Sequence, residues 1–229
     1  MSILLTGSRG SIGGNIKKCL SKKYDIIELD IKSNPSVDAT DEKCVRKYLL
    51  EISKTRKIKY IINCIGIPDA VPLVSKSLLD IDIDNFKRMV DINLNAVFII
   101  IKECYRLFNN DLNHIVNISS MYSSVSPRID LYNGKIKNPA YTASKHGLIG
   151  LSKHLAVILS SNNIKVNCIA PGGVTETIND NNFIEKYNKQ VPLKTTIPVK
   201  EIINTIKYLF KMETITGQNI IIDGGYTII

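Results

Sequence analysis

Tyr141 and Lys145 stand four residues apart in the stretch NPAYTASKHGLIGLSKHLA, which has a helical pattern. At that spacing both side chains share one helix face. A phenol with the ordinary pKa of about 10 is a poor base at neutral pH, but a neighbouring ammonium favours the phenolate and lowers that value. The pair therefore offers proton transfer to or from a reacting oxygen. Near the start of the chain, ILLTGSRGSIGGNI sets Gly7, Gly10 and Gly13 between an apolar run and the first helical pattern. Glycines there allow a tight turn and a close backbone approach, and the helix N-terminus turns N–H groups toward a pyrophosphate. Asp30 closes the second apolar run, where a dinucleotide fold sets an acidic residue against the adenosine ribose. A carboxylate there accepts from a 2′-hydroxyl and repels a 2′-phosphate, which favours NAD as cofactor. Arg9 and Lys32 are cations that could neutralise such a phosphate, so NADP stays open.

These residues need elements to hold them. Short β-type runs recur at 3–6, 26–30, 60–64, 114–118, 164–169 and 219–222, with a brief further candidate at 36–39. Several are apolar on both faces, as buried parallel strands are. Helical patterns fall between them at 12–20, 41–55, 83–109, 139–161 and 199–211. Alternation of this kind over residues 1–229 predicts an α/β fold: a single domain with a doubly wound, Rossmann-like parallel sheet of about seven strands and helices on both faces. Ligands of such sheets bind beyond the carboxyl ends of the strands. Gly7, Asn63, Ser119, Ser120 and Gly172 each close or follow a proposed strand, so the fold would gather them on one rim.

Composition narrows the function classes. Hydrophobic residues make up 44% of the 229 positions and charged ones 22%, the balance of a globular protein with a large core. The formal charge of +9 comes from scattered lysines with no basic run interleaved with aromatics, which reads as a solvated surface and not as a nucleic-acid footprint. Such a field could still attract an anionic substrate. The five cysteines and three histidines lack paired or ligand spacing, so no disulfide framework and no metal site is expected. No run reaches the roughly 18 apolar residues of a membrane span, and no basic leader opens the chain, so no membrane partner is expected and the cytoplasm is the expected location.

The segments TGSRGSIG, NCIG, NISS, YTASK, APGG and TGQNIIIDGG, in this order, resemble the short-chain dehydrogenase/reductase family over essentially the whole chain. The resemblance implies a catalytic tyrosine at Tyr141 and, at Lys145, a lysine that lowers its pKa and holds the nicotinamide ribose. It implies a substrate-binding serine at Ser120 and, at Asn93 of DINLNAVF, an asparagine supporting the lysine. For the cofactor it implies Gly7, Gly13 and the backbone of Ile12 around the pyrophosphate, Asp38 and its neighbour Ala39 at the adenine, and Asn63 and Gly66 beside the adenosine. It further implies Pro171 and Gly172 leading to Val174, with Thr175 or Thr177 at the carboxamide. The chain departs from the family pattern at Ser11, Cys64 and Ile65, and Gly10 is expected to let the glycine turn form one residue earlier. Family members are usually homodimers or homotetramers built through two long helices, here 83–109 and 139–161.

Ser120 and Tyr141 are separated by 21 positions, more than in most of the family. Arg128, Asp130, Tyr132, Asn133 and Lys135 lie in this insertion and would suit a hydroxylated or anionic small molecule; alternatively, the segment is a surface loop ordering an oligomer. The phrase running from SSMYSSVSP to NPAYTASKHGLIGLSKHLA also resembles a subgroup of surface-carbohydrate and flagellin-glycan synthesis. A sugar or nucleotide-sugar substrate is therefore the first expectation. A 3-oxoacyl thioester reductase is the alternative, and a non-catalytic NAD-sensing or interaction protein a third reading.

Overall fold

The computed structural model describes residues 1–67 and 76–229. Along the chain run β1 (Ser2–Thr6), α1 (Ser11–Leu20), β2 (Asp25–Leu29), α2 (Glu42–Ser53), β3 (Ile58–Asn63) and α3 (Ile83–Val90). A π-helical turn at Asp91–Asn95 leads into α4 (Ala96–Phe108), followed by β4 (His114–Ile118) and α5 (Pro139–Ile158). The remaining elements are β5 (Lys165–Pro171), α6 (Asn181–Lys189), α7 (Val199–Leu209) and β6 (Asn219–Ile222).

The strands form one parallel sheet in the order β2-β1-β3-β4-β5-β6. Among the described residues it has six strands, not about seven. The candidate at 36–39 is a loop in which the Val37 N–H donates to the Asp30 carbonyl, while Val37 and Ala39 pack into the core. Its apolar residues anchor a connection after β2 without pairing to a neighbouring strand.

Strand side chains alternate between two faces, as the two-residue period of a strand requires. Leu4, Ile61 and Ile115 join α2, α4 and α5 in one core cluster. Ile3, Leu5, Ile62 and Val116 join α1 and α7 in the other. A third cluster, containing Met121, Tyr122, Leu131, Tyr187 and Tyr226, sits apart from both and gathers residues that follow β4, β5 and β6. Within the helical layer, the fully buried Glu103 of α4 accepts from Arg46 of α2 through Oε1 and Oε2, at 3.1 and 2.9 Å. Hydrogen bonds from Arg46 hold the Glu103 carboxyl below its ordinary pKa, outweighing the opposite pull of burial.

Strand order reverses between β1 and β3, and there glycines let backbones approach closely. Gly7 follows β1 with φ +64°, and a Cβ on it would lie 2.6 Å from the Cys64 carbonyl oxygen after β3. One on Gly13, in the first turn of α1, would lie 2.1 Å from the Gly7 carbonyl oxygen. Gly10 is the residue before α1 and is extended (φ −78°, ψ 170°), so the left-handed step belongs to Gly7 and not to Gly10. Ser11 is the first helical residue and is exposed, which accommodates its side chain where the family carries glycine.

Adjacent glycines therefore predict opposite outcomes. Gly13→Ala forces backbone apart and is expected to destabilise by about 1–3 kcal/mol, as overpacking does. A Cβ on Gly14 meets only the Ser8 carbonyl oxygen at 3.7 Å, so Gly14→Ala should stabilise α1 by about 0.5–1 kcal/mol. Urea denaturation midpoints of the two variants should move in opposite directions.

Candidate active site

The carboxyl ends of the strands open into a cavity of about 500 Å³. Gly10, Ile12, Gly13, Gly66, Ser120, Tyr141, Lys145, Pro171, Gly172, Val174 and Thr177 all line it, so the fold unites residues spread over most of the chain. Its glycine end fits a dinucleotide phosphate. The crowding at Gly7 and Gly13 leaves no room for side chains, and α1 begins without a side-chain cap on its free N–H groups.

Lys145 and Tyr141 rise from the first turns of α5, whose start is set by Pro139 and by the Asn138 side chain accepting from the Ala140 N–H. The Lys145 amine lies 5.8 Å from the Tyr141 ring centre and donates to the Ile118 carbonyl oxygen at 3.1 Å. Lys145 is only 5% exposed, and burial pushes its pKa down to about 8. Ser120 lies just past β4, where its hydroxyl accepts from the Tyr122 N–H at 3.2 Å. Ser119 spends its hydroxyl on the Lys145 carbonyl oxygen.

Asn93 sits in the π-helical turn and is fully buried. Its Oδ1 accepts from the Ile67 N–H at 2.8 Å, while Nδ2 donates to the Ile67 carbonyl and to the Ser144 hydroxyl. A Cβ on Gly66 would lie 3.3 Å from Asn93 Oδ1 and 3.6 Å from the Lys145 amine. Gly66 thus lets the post-β3 backbone pass close to both. Asn63 serves the frame: its amide donates to Asn117 Oδ1 at 2.8 Å, and Asn117 donates in turn to the Ser152 hydroxyl.

Other expected residues are taken up locally. The Asp38 carboxylate accepts from the Thr40 N–H and hydroxyl, Ala39 packs in the core, and the Thr175 hydroxyl meets that of Thr196. The Asp30 carboxylate accepts from the backbone N–H groups of Arg9 and Lys32.

Most polar groups of the insertion have partners within the protein. Arg128 donates to the Ile229 carbonyl oxygen and covers the Tyr226 ring, Gln190 donates to Asp130, and Lys186 donates to Asn133. These groups fasten the segment to the C-terminus and to the region of α6. Lys135 lines a separate groove beside Ile129 and His146. Tyr132 does reach the main cavity.

Several lining residues went unforeseen: Tyr122, Lys137, Phe183 and Tyr187. The Lys137 amine lies 4.6 Å from the Tyr132 ring centre, 5.7 Å from that of Tyr141 and 5.8 Å from that of Tyr122. Tyr187 accepts from the Gly173 N–H at 2.8 Å, and a Cβ on Gly172 would meet its hydroxyl at 2.5 Å. The signal available for α6 was Asp180, which caps the helix, ahead of an aromatic pair four residues apart.

Comparison with known proteins agrees with this architecture. Residues 15–227 match a family model described as Enoyl-(Acyl carrier protein) reductase. The 3-oxoacyl-acyl-carrier-protein reductase of Rickettsia bellii is 27% identical, over 97% of this chain and 95% of the relative. That of Buchnera aphidicola subsp. Schizaphis graminum is 30% identical, over 97% and 86%. A short chain dehydrogenase from Leptospira borgpetersenii, solved with bound NAD+, superposes with a TM-score of 0.87 at 28% identity, over 99% of this chain and 92% of that one. The chain belongs to the short-chain dehydrogenase/reductase family, NAD(P)-dependent oxidoreductases that interconvert secondary alcohols and ketones.

Proposed function

We propose that this chain interconverts 3-oxoacyl and 3-hydroxyacyl thioesters with NAD(H). The observation that carries the substrate reading is the cavity wall beyond Ser120 and Tyr141, where Met121, Val174, Ile178 and Phe183 offer an apolar surface to an acyl chain. The names of the curated relatives support it. Asp30 supports NAD, as does the cofactor bound by the Leptospira relative.

Bound nicotinamide supplies hydride exchange. The protein's part is to orient the reacting carbon and handle the proton. In this reading Tyr141 donates its phenolic proton to the oxygen of the 3-oxo group during reduction and recovers one from the 3-hydroxyl during oxidation. Ser120 donates a hydrogen bond to the same oxygen as charge develops there. Lys145, while protonated, stabilises the Tyr141 phenolate, and Asn93 is proposed to position the lysine from the post-β3 side.

A second reading, a sugar or nucleotide-sugar substrate, draws on the Tyr132 hydroxyl and the Lys137 amine, polar groups on that same wall. Dinucleotide absorbance followed over a panel of 3-oxoacyl thioesters, sugars and nucleotide sugars separates the two. Turnover of acyl thioesters alone supports the first reading, and turnover of sugars alone replaces it with the second. Tyr141→Phe is expected to lower turnover by about 10²–10⁴ while leaving dinucleotide binding within a few-fold, as measured by fluorescence titration. Full activity in that variant would remove Tyr141 from the chemistry.

Burial of Lys145 has a further measurable effect. Its folded pKa of about 8 lies below its ordinary value of 10.5, so between those pH values the unfolded chain binds more protons and stability gains from rising pH. Below pH 8 the buried charge costs on the order of 3 kcal/mol. The difference between the stability–pH curves of the ligand-free protein and its Lys145→Met variant should therefore climb through pH 8 to 10.5. A flat difference would contradict the assignment.

A further inference from the structure

Glu28 lies near the end of β2, two residues before Asp30, with its side chain 21% exposed. Its Oε2 accepts from the Ser8 hydroxyl at 2.8 Å and pairs with Arg9 Nε at 3.0 Å. Its Oε1 accepts from the Lys17 amine at 2.6 Å and from Arg9 Nη2 at 3.4 Å. One carboxylate thus engages the glycine turn through Ser8 and Arg9 and the body of α1 through Lys17. Burial alone would raise its pKa, but hydrogen bonds from Lys17 and Ser8 and the charges of Lys17 and Arg9 outweigh that and keep the carboxyl low.

Arg9 is divided between two acids. Its backbone N–H goes to Asp30 at 2.9 Å, while its guanidinium goes to Glu28. This matters because a 2′-phosphate beside Asp30 would need a nearby cation to offset carboxylate repulsion. Arg9, like Lys32, already touches Asp30 through its backbone N–H, and of these two cations it is Arg9 whose side chain pairs with Glu28. Two-point engagement of a guanidinium by a carboxylate fixes direction as well as proximity. Arg9 is 45% exposed, so the pair adds little to overall stability, and its effect is chiefly on where the positive charge resides.

We propose that Glu28 is a specificity-determining positioning residue: by holding the Arg9 guanidinium along β2, it denies a charge partner to a 2′-phosphorylated dinucleotide and sharpens selection for NAD(H). The inference rests on the nicotinamide dinucleotide reading above and extends it to a residue that acts through Arg9. A purely structural Glu28, stapling β2 to the glycine turn, would affect both dinucleotides alike.

The test is the ratio of NADH to NADPH dissociation constants, read by fluorescence titration of the ligand-free protein. Glu28→Gln keeps the side-chain shape and an acceptor for Ser8, and it is expected to shift the ratio toward NADPH by about tenfold. That shift should shrink as salt is raised and disappear in the Glu28→Gln, Arg9→Ala double variant. Equal changes in both constants, or a shift that survives removal of Arg9, would overturn the inference while leaving the dinucleotide reading intact. Failure of the unsubstituted protein to bind either dinucleotide would overturn both.

Discussion

The crossing of backbones at the point where strand order reverses constrains the rest of the molecule. Gly7, Gly13 and the Cys64 carbonyl approach so closely that a methyl group on either glycine would displace main chain. That contact brings the start of α1, the end of β1 and the segment after β3 together around one opening. The segment after β3 then runs past Asn93 and Lys145, with Gly66 facing both. The free N–H groups at the start of α1 and the Tyr141 end of the cavity are thus tied to the same short stretch of chain.

A second layer of control is polar and buried. Thr6, Asn63, Asn117 and Ser152 connect in series across β1, β3, β4 and α5. In a low-dielectric interior such groups are costly when unpaired, so the series favours one lateral arrangement of the strand ends. Lys145 is held by a main-chain carbonyl at the end of β4, and Ser119 returns a bond to the Lys145 carbonyl. Helix α5 and strand β4 are therefore joined by side chains within the site, in addition to apolar packing.

The fold was legible in the sequence because both-face apolar runs and helical periodicity survive without context. All six observed strands fall on runs seen there, and His114–Ile118 and Asn219–Ile222 coincide at both ends. The additional strand at 36–39 failed because two apolar residues in a loop can serve a core without a neighbouring strand to pair with. Ser120 could be placed on the rim because it follows a strand, and Tyr141 and Lys145 could be paired because they share a helix face, whereas Gly66 came only from the family resemblance; all four line one cavity. What remained hidden depended on three-dimensional neighbours. The polar residues of the insertion looked available for a ligand, yet Arg128, Asp130 and Asn133 are matched to groups 53 to 101 positions away. Glu28 looked like an ordinary strand residue, and only the turn of the glycine loop brings Ser8 and Arg9 onto it.

The π-helical turn at Asp91–Asn95 joins two helices that otherwise run as one, with the Ala96 N–H bonded back to the Asp91 carbonyl. Such a turn holds one residue more than an α-helical turn, and each residue of an α-helix advances the side-chain direction by about 100°. The turn therefore works as a phase adjuster. It allows Asn93 to face the site while Glu103, ten positions on, still faces Arg46. Lengthening or shortening the chain here by a single residue would not simply shorten a helix; it would swing one end out of phase with the other. The spacing between Asn93 and Glu103 is thus a geometric quantity in its own right, coupling the angular setting of the cavity to that of the helical layer behind it.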